Sequence, residues 1–349
     1  MLVAAAFTVT VLVLRFSSND TDSRRAQLLR FVPTDATSVV FVDLDQLRNS
    51  PFLSALYAWT PHPAPDSEYT QFVADSGFDY ERDLGKVLIA ISNRATNSAT
   101  LVVAEGKFDR KKIEAYLARS SAPGEQGSLK VFRIPAKPGD KPLSFSFLSD
   151  RRIAITDSET LDAVLSTADR PAGHAEWQTR FDRLAGSPLF AVIRQDPTIQ
   201  TALASQSPQL ATLIDQLPWI TLAGKPDGSL LRVVAEGESP SDAMSAQLSE
   251  FLQGIRLLAQ TGLNDPKLRQ RMNPEERDAY VELLKGTEIE RIGRGEAKSV
   301  RVVLPITPEF LKIAKSGYAG IVPGSAANSP SAAEKNNTAS QQARPAKKK

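Results

Sequence analysis

The chain has no cysteine and only two histidines. Without cysteine there is no disulfide, no thiolate nucleophile and no cysteine-ligated metal. Histidine is the usual general base and a common metal ligand. Here His62 lies in the run Thr60-Pro61-His62-Pro63-Ala64-Pro65 and His174 in a distant polar stretch, so the two are not spaced as a ligand pair. A serine–histidine–aspartate triad would have to recruit one of them, and no G-x-S-x-G elbow supplies the serine. Neither phosphate-binding pattern, G-x-x-x-x-G-K-[ST] or G-x-G-x-x-G after a strand, is found. No catalytic, cofactor-binding or metal-ligating residue is therefore assigned, and no cofactor is expected.

What remains is the composition of a folded protein. Apolar residues make up 42% and charged residues 23%, enough for sizeable cores and too apolar for wholesale disorder. A length of 349 residues suggests two domains. The net charge of +2 is uneven: residues 322–349 hold a surplus of four positive charges and residues 1–30 a surplus of two, which leaves the body at −4. An acidic body is a poor match for nucleic acid, so no nucleic-acid partner is expected.

Residues 1–14, MLVAAAFTVTVLVL, carry no charge. The run is short for a membrane span of about 20 residues and long enough for a signal core of about 7–15. No basic segment precedes it and no A-x-A site comes after it. The expectation is an apolar anchor or uncleaved signal over 1–15, truncated at its start, then a polar linker over 16–30. A buried strand or helix is the competing reading, since Thr8, Val9, Val11 and Val13 favour β structure. The positive charges after the run would by themselves hold the body in the cytoplasm. Single N-terminal anchors commonly export the chain attached to them, and the body is expected outside the cytoplasm, in the periplasm. The segment 317–349, poor in large apolar side chains and ending Lys347-Lys348-Lys349, reads as a disordered basic tail.

The body shows an internal echo. Val102-Val103-Ala104-Glu105-Gly106 recurs as Val233-Val234-Ala235-Glu236-Gly237. Each copy comes after an apolar run and a turn: Val87–Ile91 then Ser92–Ala99, and Trp219–Ala223 then Gly224-Lys225-Pro226-Asp227-Gly228. Both are read as second strands of hairpins. Each then leads to a helix. Asp109 is placed to cap the first. In the second, Met244, Leu248, Phe251, Leu252, Ile255, Leu258 and Ala259 share one helical face. Val39–Val42 is answered by Leu189–Ile193. Strands at Arg152–Ile155 and Val300–Leu304 each precede a helix-start pattern, Thr156-Asp157-Ser158-Glu159 and Thr307-Pro308-Glu309. A further helix runs from Asn273-Pro274 to Gly286. The predicted fold is α+β: two similar domains, 31–172 and 173–316, each a mainly antiparallel sheet with helices packed on one face.

Carboxylates are the remaining chemistry. Asp43 and Asp45 fall on one face if the strand continues, and form a conceivable acid/base or cation pair; the bland reading is a strand end with Asp45 opening a helix. Glu105 and Glu236 hold the same slot in the repeat. Because the whole pentapeptide is repeated, a duplicated structural role is the simpler account. Trp59, Trp177 and Trp219 are too far apart in sequence to suggest a stacking platform, and core packing is the default.

The opening Phe31-Val32-Pro33-Thr34-Asp35-Ala36 before Val39–Asp43, and Asp79-Tyr80-Glu81-Arg82-Asp83-Leu84 before the strand Lys86–Ile91, resemble uncharacterised bacterial exported or membrane-anchored proteins grouped as a domain of unknown function. The resemblance covers residues 30–316 and implies an envelope location and a duplicated α+β body, with no catalytic residue. The functional expectation is a membrane-tethered, non-enzymatic envelope protein that presents a groove or sheet edge to a partner protein or apolar ligand. The alternative is a carboxylate-based hydrolase acting on an envelope polymer through Asp43, Asp45 and Glu105. A third is a structural spacer that projects the tail.

Overall fold

The computed structural model describes residues 25–59, 67–94, 97–121, 123–135, 141–158, 161, 175–195, 208–294 and 297–318. The expected anchor, most of the tail, both histidines and the helix anticipated after Thr156 lie outside them.

Alternating β-branched and aromatic residues make the strands. The first half holds β1 (Ser38–Asp43), β2 (Leu84–Arg94), β3 (Asn97–Gly106), β4 (Pro123–Gln126), β5 (Leu129–Ile134), β6 (Leu143–Ser149) and β7 (Arg152–Thr156). The second holds β8 (Leu189–Arg194), β9 (Trp219–Asp227), β10 (Leu230–Ser239), β11 (Glu288–Arg294) and β12 (Ala297–Ile306). Helices α1 (Leu44–Arg48), α2 (Pro51–Trp59), α3 (Ser67–Ser76) and α4 (Tyr80–Asp83) lie in the connection from β1 to β2, and α5 (Arg110–Leu117) comes after the first hairpin. In the second half come α6 (Ala175–Arg183), α7 (Pro208–Asp215), α8 (Asp242–Leu263), α9 (Pro266–Arg271), α10 (Pro274–Gly286) and α11 (Pro308–Tyr318). The fold is α+β. Both hairpins of the repeat are present, with strands longer than the sequence signals: β2 runs to Arg94 where a turn was expected from Ser92, and β9 runs to Asp227 before Gly228 turns at φ +61°.

The halves meet as one sheet. Its strand order is β11-β12-β10-β9-β8-β1-β2-β3-β7-β6-β5-β4, and every neighbouring pair is antiparallel. The seam is β1 against β8, with Phe41 opposite Phe190 and their rings stacked at 5.0 Å. Both outer edges are blunted. β4 is four residues long and contains Pro123, and β11 exposes Glu288, Glu290 and Arg291. Short, proline-bearing or charged edges resist further strand pairing, so the sheet edge anticipated as a docking element is disfavoured.

One face of the sheet holds a core that runs across the seam: Val39, Leu88 and Val103 from the first half, and Phe190, Val192 and Trp219 from the second. It is covered by the helical stretch 25–29 and by α6, which precede β1 and β8 in corresponding places. Trp177 and Phe181 of α6 are buried there, and Trp177 meets Trp219 edge to face at 4.9 Å. Two tryptophans remote in sequence thus become one core contact. Arg25 fastens the two coverings together. Its guanidinium donates to the carbonyls of Phe181 (2.6 Å) and Leu184 (3.2 Å) and lies 4.7 Å from the Phe190 ring centroid. On the opposite face, α5 buries Ile113 and Leu117 against Phe132, Phe145 and Phe147, while α8 buries Met244 and Leu248 near Val300.

Most caps read from the sequence are in place. Asp109, Asn273 and Thr307 accept from the backbone N–H groups of Lys112, Glu275 and Phe310. Two expectations need correction. The residue that opens the helix after β1 is Asp43, not Asp45: its Oδ1 accepts from Gln46 N at 3.0 Å, and Asp45 already lies inside α1. The apolar stripe of α8 is also buried only in part. Met244 and Leu248 face the sheet, but Ile255 and Leu258 are 43% and 73% exposed. A 22-residue helix is about 33 Å long, and its C-terminal half has left the sheet face.

Candidate functional site

The repeated pentapeptide lies at the same register in both halves and explains itself there. Glu105 stands opposite Arg152 across β3 and β7; Glu236 stands opposite Arg301 across β10 and β12. Each glutamate pairs with that arginine. Arg152 Nε donates to Glu105 at 3.0 Å, and Arg301 Nη2 donates to Glu236 at 2.9 Å. The glycine next in the repeat is required by space. A Cβ on Gly106 would lie 2.6 Å from the Asp83 carbonyl oxygen, and one on Gly237 would lie 2.6 Å from Leu217 Cδ1. Ala104 packs on the α5 side of the sheet, while Glu105 and Glu236 are on the other. The repeat is a strand end that carries an ion pair on one face and admits close packing on the other.

The surroundings of the two glutamates differ. In the second half the place is closed. Arg183 reaches from α6 to Glu236 at 3.2 Å, Ser299 Oγ donates to Glu236 at 3.0 Å, and Glu236 is 6% exposed. The next acid, Glu238, is paired by both Arg180 and Arg183. The Arg180 guanidinium lies 3.8 Å from the centroid of Trp219, a cation–π contact. The Nε atoms of Arg180 and Arg183 have no hydrogen-bond partner among the described residues.

In the first half the same place is an open polar cleft of about 350 Å³. Its rim comes from α1, α4, β2, β3 and the β6–β7 turn. Lys86, Arg152 and Glu105 form part of the wall, and Gly85 and Gly106 line it without side chains. Gly85 is the extra residue of a bulge, since Leu84 pairs with Gly106 and Lys86 with Glu105. Asp83 is buried at this rim. The Arg82 guanidinium bonded to it holds its carboxyl below the usual range, against the opposing effect of burial.

The candidate carboxylates do come near one another. Lys86 Nζ lies 3.2 Å from Asp43 Oδ2 and 3.9 Å from Asp45 Oδ2, so those two oxygens are no more than about 7 Å apart. That bound admits the spacing of a carboxylate pair in a glycosidase. The Lys86 ammonium, however, is shared by both carboxylates and neutralises them as an acid/base pair. Asp43 is 1% exposed and capped into α1, and Asp45 is also bonded to Arg48 at 3.0 Å. Glu105 is held by Arg152. Each candidate acid has a cation against it. Among the described residues no group of three histidine, aspartate or glutamate side chains could hold a metal ion, and no helix is long and apolar enough to cross a membrane. Sequence reading missed Lys86, Arg152, Arg183 and Arg301, because a cation in a strand or helix gives no sign of the carboxylate it will face.

No protein-family model matches the chain, and no curated protein matches its sequence. Solved structures match weakly. Crystal form IV of TP0453 aligns with a TM-score of 0.45 at 13% identity, covering 82% of this chain and 96% of that one. Crystal form III of the same protein gives a TM-score of 0.42 at 10% identity, covering 82% and 97%. A likeness of this size supports no conclusion about activity or ligand.

Proposed function

We propose that this chain is a non-enzymatic binding protein, tethered to a membrane by its N-terminal apolar segment, that docks an envelope partner protein through the outer half of α8. One observation carries this reading: a group of large apolar side chains stands in solvent on a regular helix. Ile255, Leu257 and Leu258 are 43%, 64% and 73% exposed, and Leu268 of α9 is 40% exposed beside them in the chain. From Phe251 to Leu263 the only charge is Arg256, whose guanidinium is turned to the Thr287 carbonyl at 2.7 Å. An uncharged, leucine-bearing helical surface of this kind costs solubility unless something covers it. The blunted sheet edges leave the helix as the better docking element. The polymer-hydrolase alternative is weakened by the cation against each carboxylate.

The test is a photo-crosslinking residue at position 258 in the full chain in cells, with position 247, exposed on the same helix, as control. A discrete protein adduct at 258 that is absent at 247, and lost on Leu257→Asp, supports the reading. Equal labelling at both positions, or none at 258, overturns it.

A further inference from the structure

The internal duplication supplies a comparison within one molecule. Aligning the pentapeptides sets Glu105 against Glu236, Arg152 against Arg301, and Lys107 against Glu238. In the second half the acid at this last position is answered by Arg180 and Arg183 of the preceding helix, which fill the place. In the first half the position carries a lysine, and the corresponding helical stretch 25–29 sends only Gln27, at 3.3 Å from Arg152. The cleft of about 350 Å³ is the space so left.

Its lining holds more cations than anions. The lining has the cations Arg48, Arg82, Lys86, Lys107, Arg151 and Arg152 against the anions Asp45, Asp83 and Glu105. Each anion is matched internally, Asp45 by Arg48, Asp83 by Arg82 and Glu105 by Arg152, and the Lys86 ammonium is matched by the buried Asp43 behind it. Lys107 and Arg151 are exposed and form no close ion pair among the described residues; Lys107 acts on the nearby Asp83 only through its field. The second half completes itself with its own cations; the first half lacks the opposite charge.

We infer that the cleft is a binding site for a small phosphate-bearing anion, held by Lys107 and Arg151 at the mouth, with Lys86 and Arg152 forming the wall behind them while they stay paired to Asp43 and Glu105. The size fits: ligand cavities begin at about 300 Å³, enough for a phosphate or diphosphate with a small body. The chemistry fits also. Guanidinium and ammonium groups are the usual partners of phosphate oxygens, and the bulge at Gly85 brings bare backbone to the wall. The site is separate from the α8 surface and does not depend on it.

The experiment is isothermal titration of the full chain with inorganic pyrophosphate at low salt. Saturable one-to-one binding is expected, weakening as salt rises. Lys107→Glu and Arg151→Ala should each weaken it by about tenfold or more. Both side chains are exposed, so the variants fold, and an unchanged urea midpoint verifies this. Arg232→Ala, an exposed arginine of the second half, should leave binding unchanged. A parallel arm uses phosphatidylcholine vesicles with and without phosphatidate. Competition by the phosphatidate vesicles alone identifies a lipid headgroup as the source of the phosphate, and no competition identifies a soluble compound. Absence of saturable pyrophosphate binding, or equal binding by Lys107→Glu, overturns the inference. Neither result bears on crosslinking at position 258.

Discussion

Replacing Glu236 by alanine removes the counter-charge from two arginines at once, and the cost can be worked from their surroundings. Glu236 is 6% exposed and accepts from Arg183, Arg301 and Ser299. Stripping one partner from a buried ion pair costs about 3–5 kcal/mol. The side chains of Arg183 and Arg301 are 23% and 28% exposed, so water can partly replace the carboxylate. Arg183 also keeps Glu238. A discounted loss of about 2–3 kcal/mol is expected. The matching Glu105→Ala serves as internal control. Glu105 has one arginine, at the edge of an open cleft, so its loss should be about 1 kcal/mol. In urea, with a slope of roughly 3 kcal/mol/M, the midpoints should fall by about 1 M and about 0.3 M. Tryptophan fluorescence is a fitting probe, because Arg180 of the same network lies over Trp219. Equal losses for the two variants would refute the reasoning that burial and the second arginine, not the repeated glutamate alone, set the energy.

The packing sets further outcomes. Gly106→Ala should cost more than Gly237→Ala, both in the range of about 1–3 kcal/mol or above, because the first meets the fixed Asp83 carbonyl and the second a movable leucine methyl; urea midpoints measure the difference. Leu248→Ala, at a site 4% exposed, should lose about 2–4 kcal/mol, whereas Leu258→Ser should change stability by less than about 0.5 kcal/mol. Arg25→Lys should fail to restore what Arg25→Ala loses, since a compact ammonium lacks the planar fork that reaches the Phe181 and Leu184 carbonyls while packing against Phe190; thermal midpoints decide. The pH profile is fixed in sign. Asp83 lies below the ordinary value because of the Arg82 bond, and Glu114 does so because Lys130 and Arg110 outweigh the effect of its burial. Their contribution is therefore complete above the unfolded value of about 4 and is lost as pH falls through the lower folded values. Stability should hold from neutral to about pH 5 and drop below about 4, and less steeply in an Arg82→Gln variant.

Much of this architecture was legible because it rests on local rules. Strand periodicity, the Pro-Asp-Gly turn, and the caps at Asp109, Asn273 and Thr307 depend on residues within a few positions of one another. The repeat was legible as a strand end for the same reason. Where local signals compete, sequence alone misleads. Asp43 and Asp45 both suit a helix start, and Lys86, from another strand, favours burial of the first. Ile255 and Leu258 continue an apolar stripe that a short sequence window cannot distinguish from a core face. Only the extent of the sheet beneath α8 shows where cover ends.

The sequence by itself therefore determined the α+β class, the two hairpins, the strands at Val39–Val42 and Leu189–Ile193 and the capped helices that open at Asp109 and Asn273, since backbone propensity and capping are short-range. The tertiary structure alone decided that the two halves join through β1 and β8 into one sheet. It also decided that α6 closes one copy of the glutamate station while the other stays open. Edge pairing and charge pairing depend on which surfaces long-range folding brings within a few ångströms, and no local pattern encodes that distance.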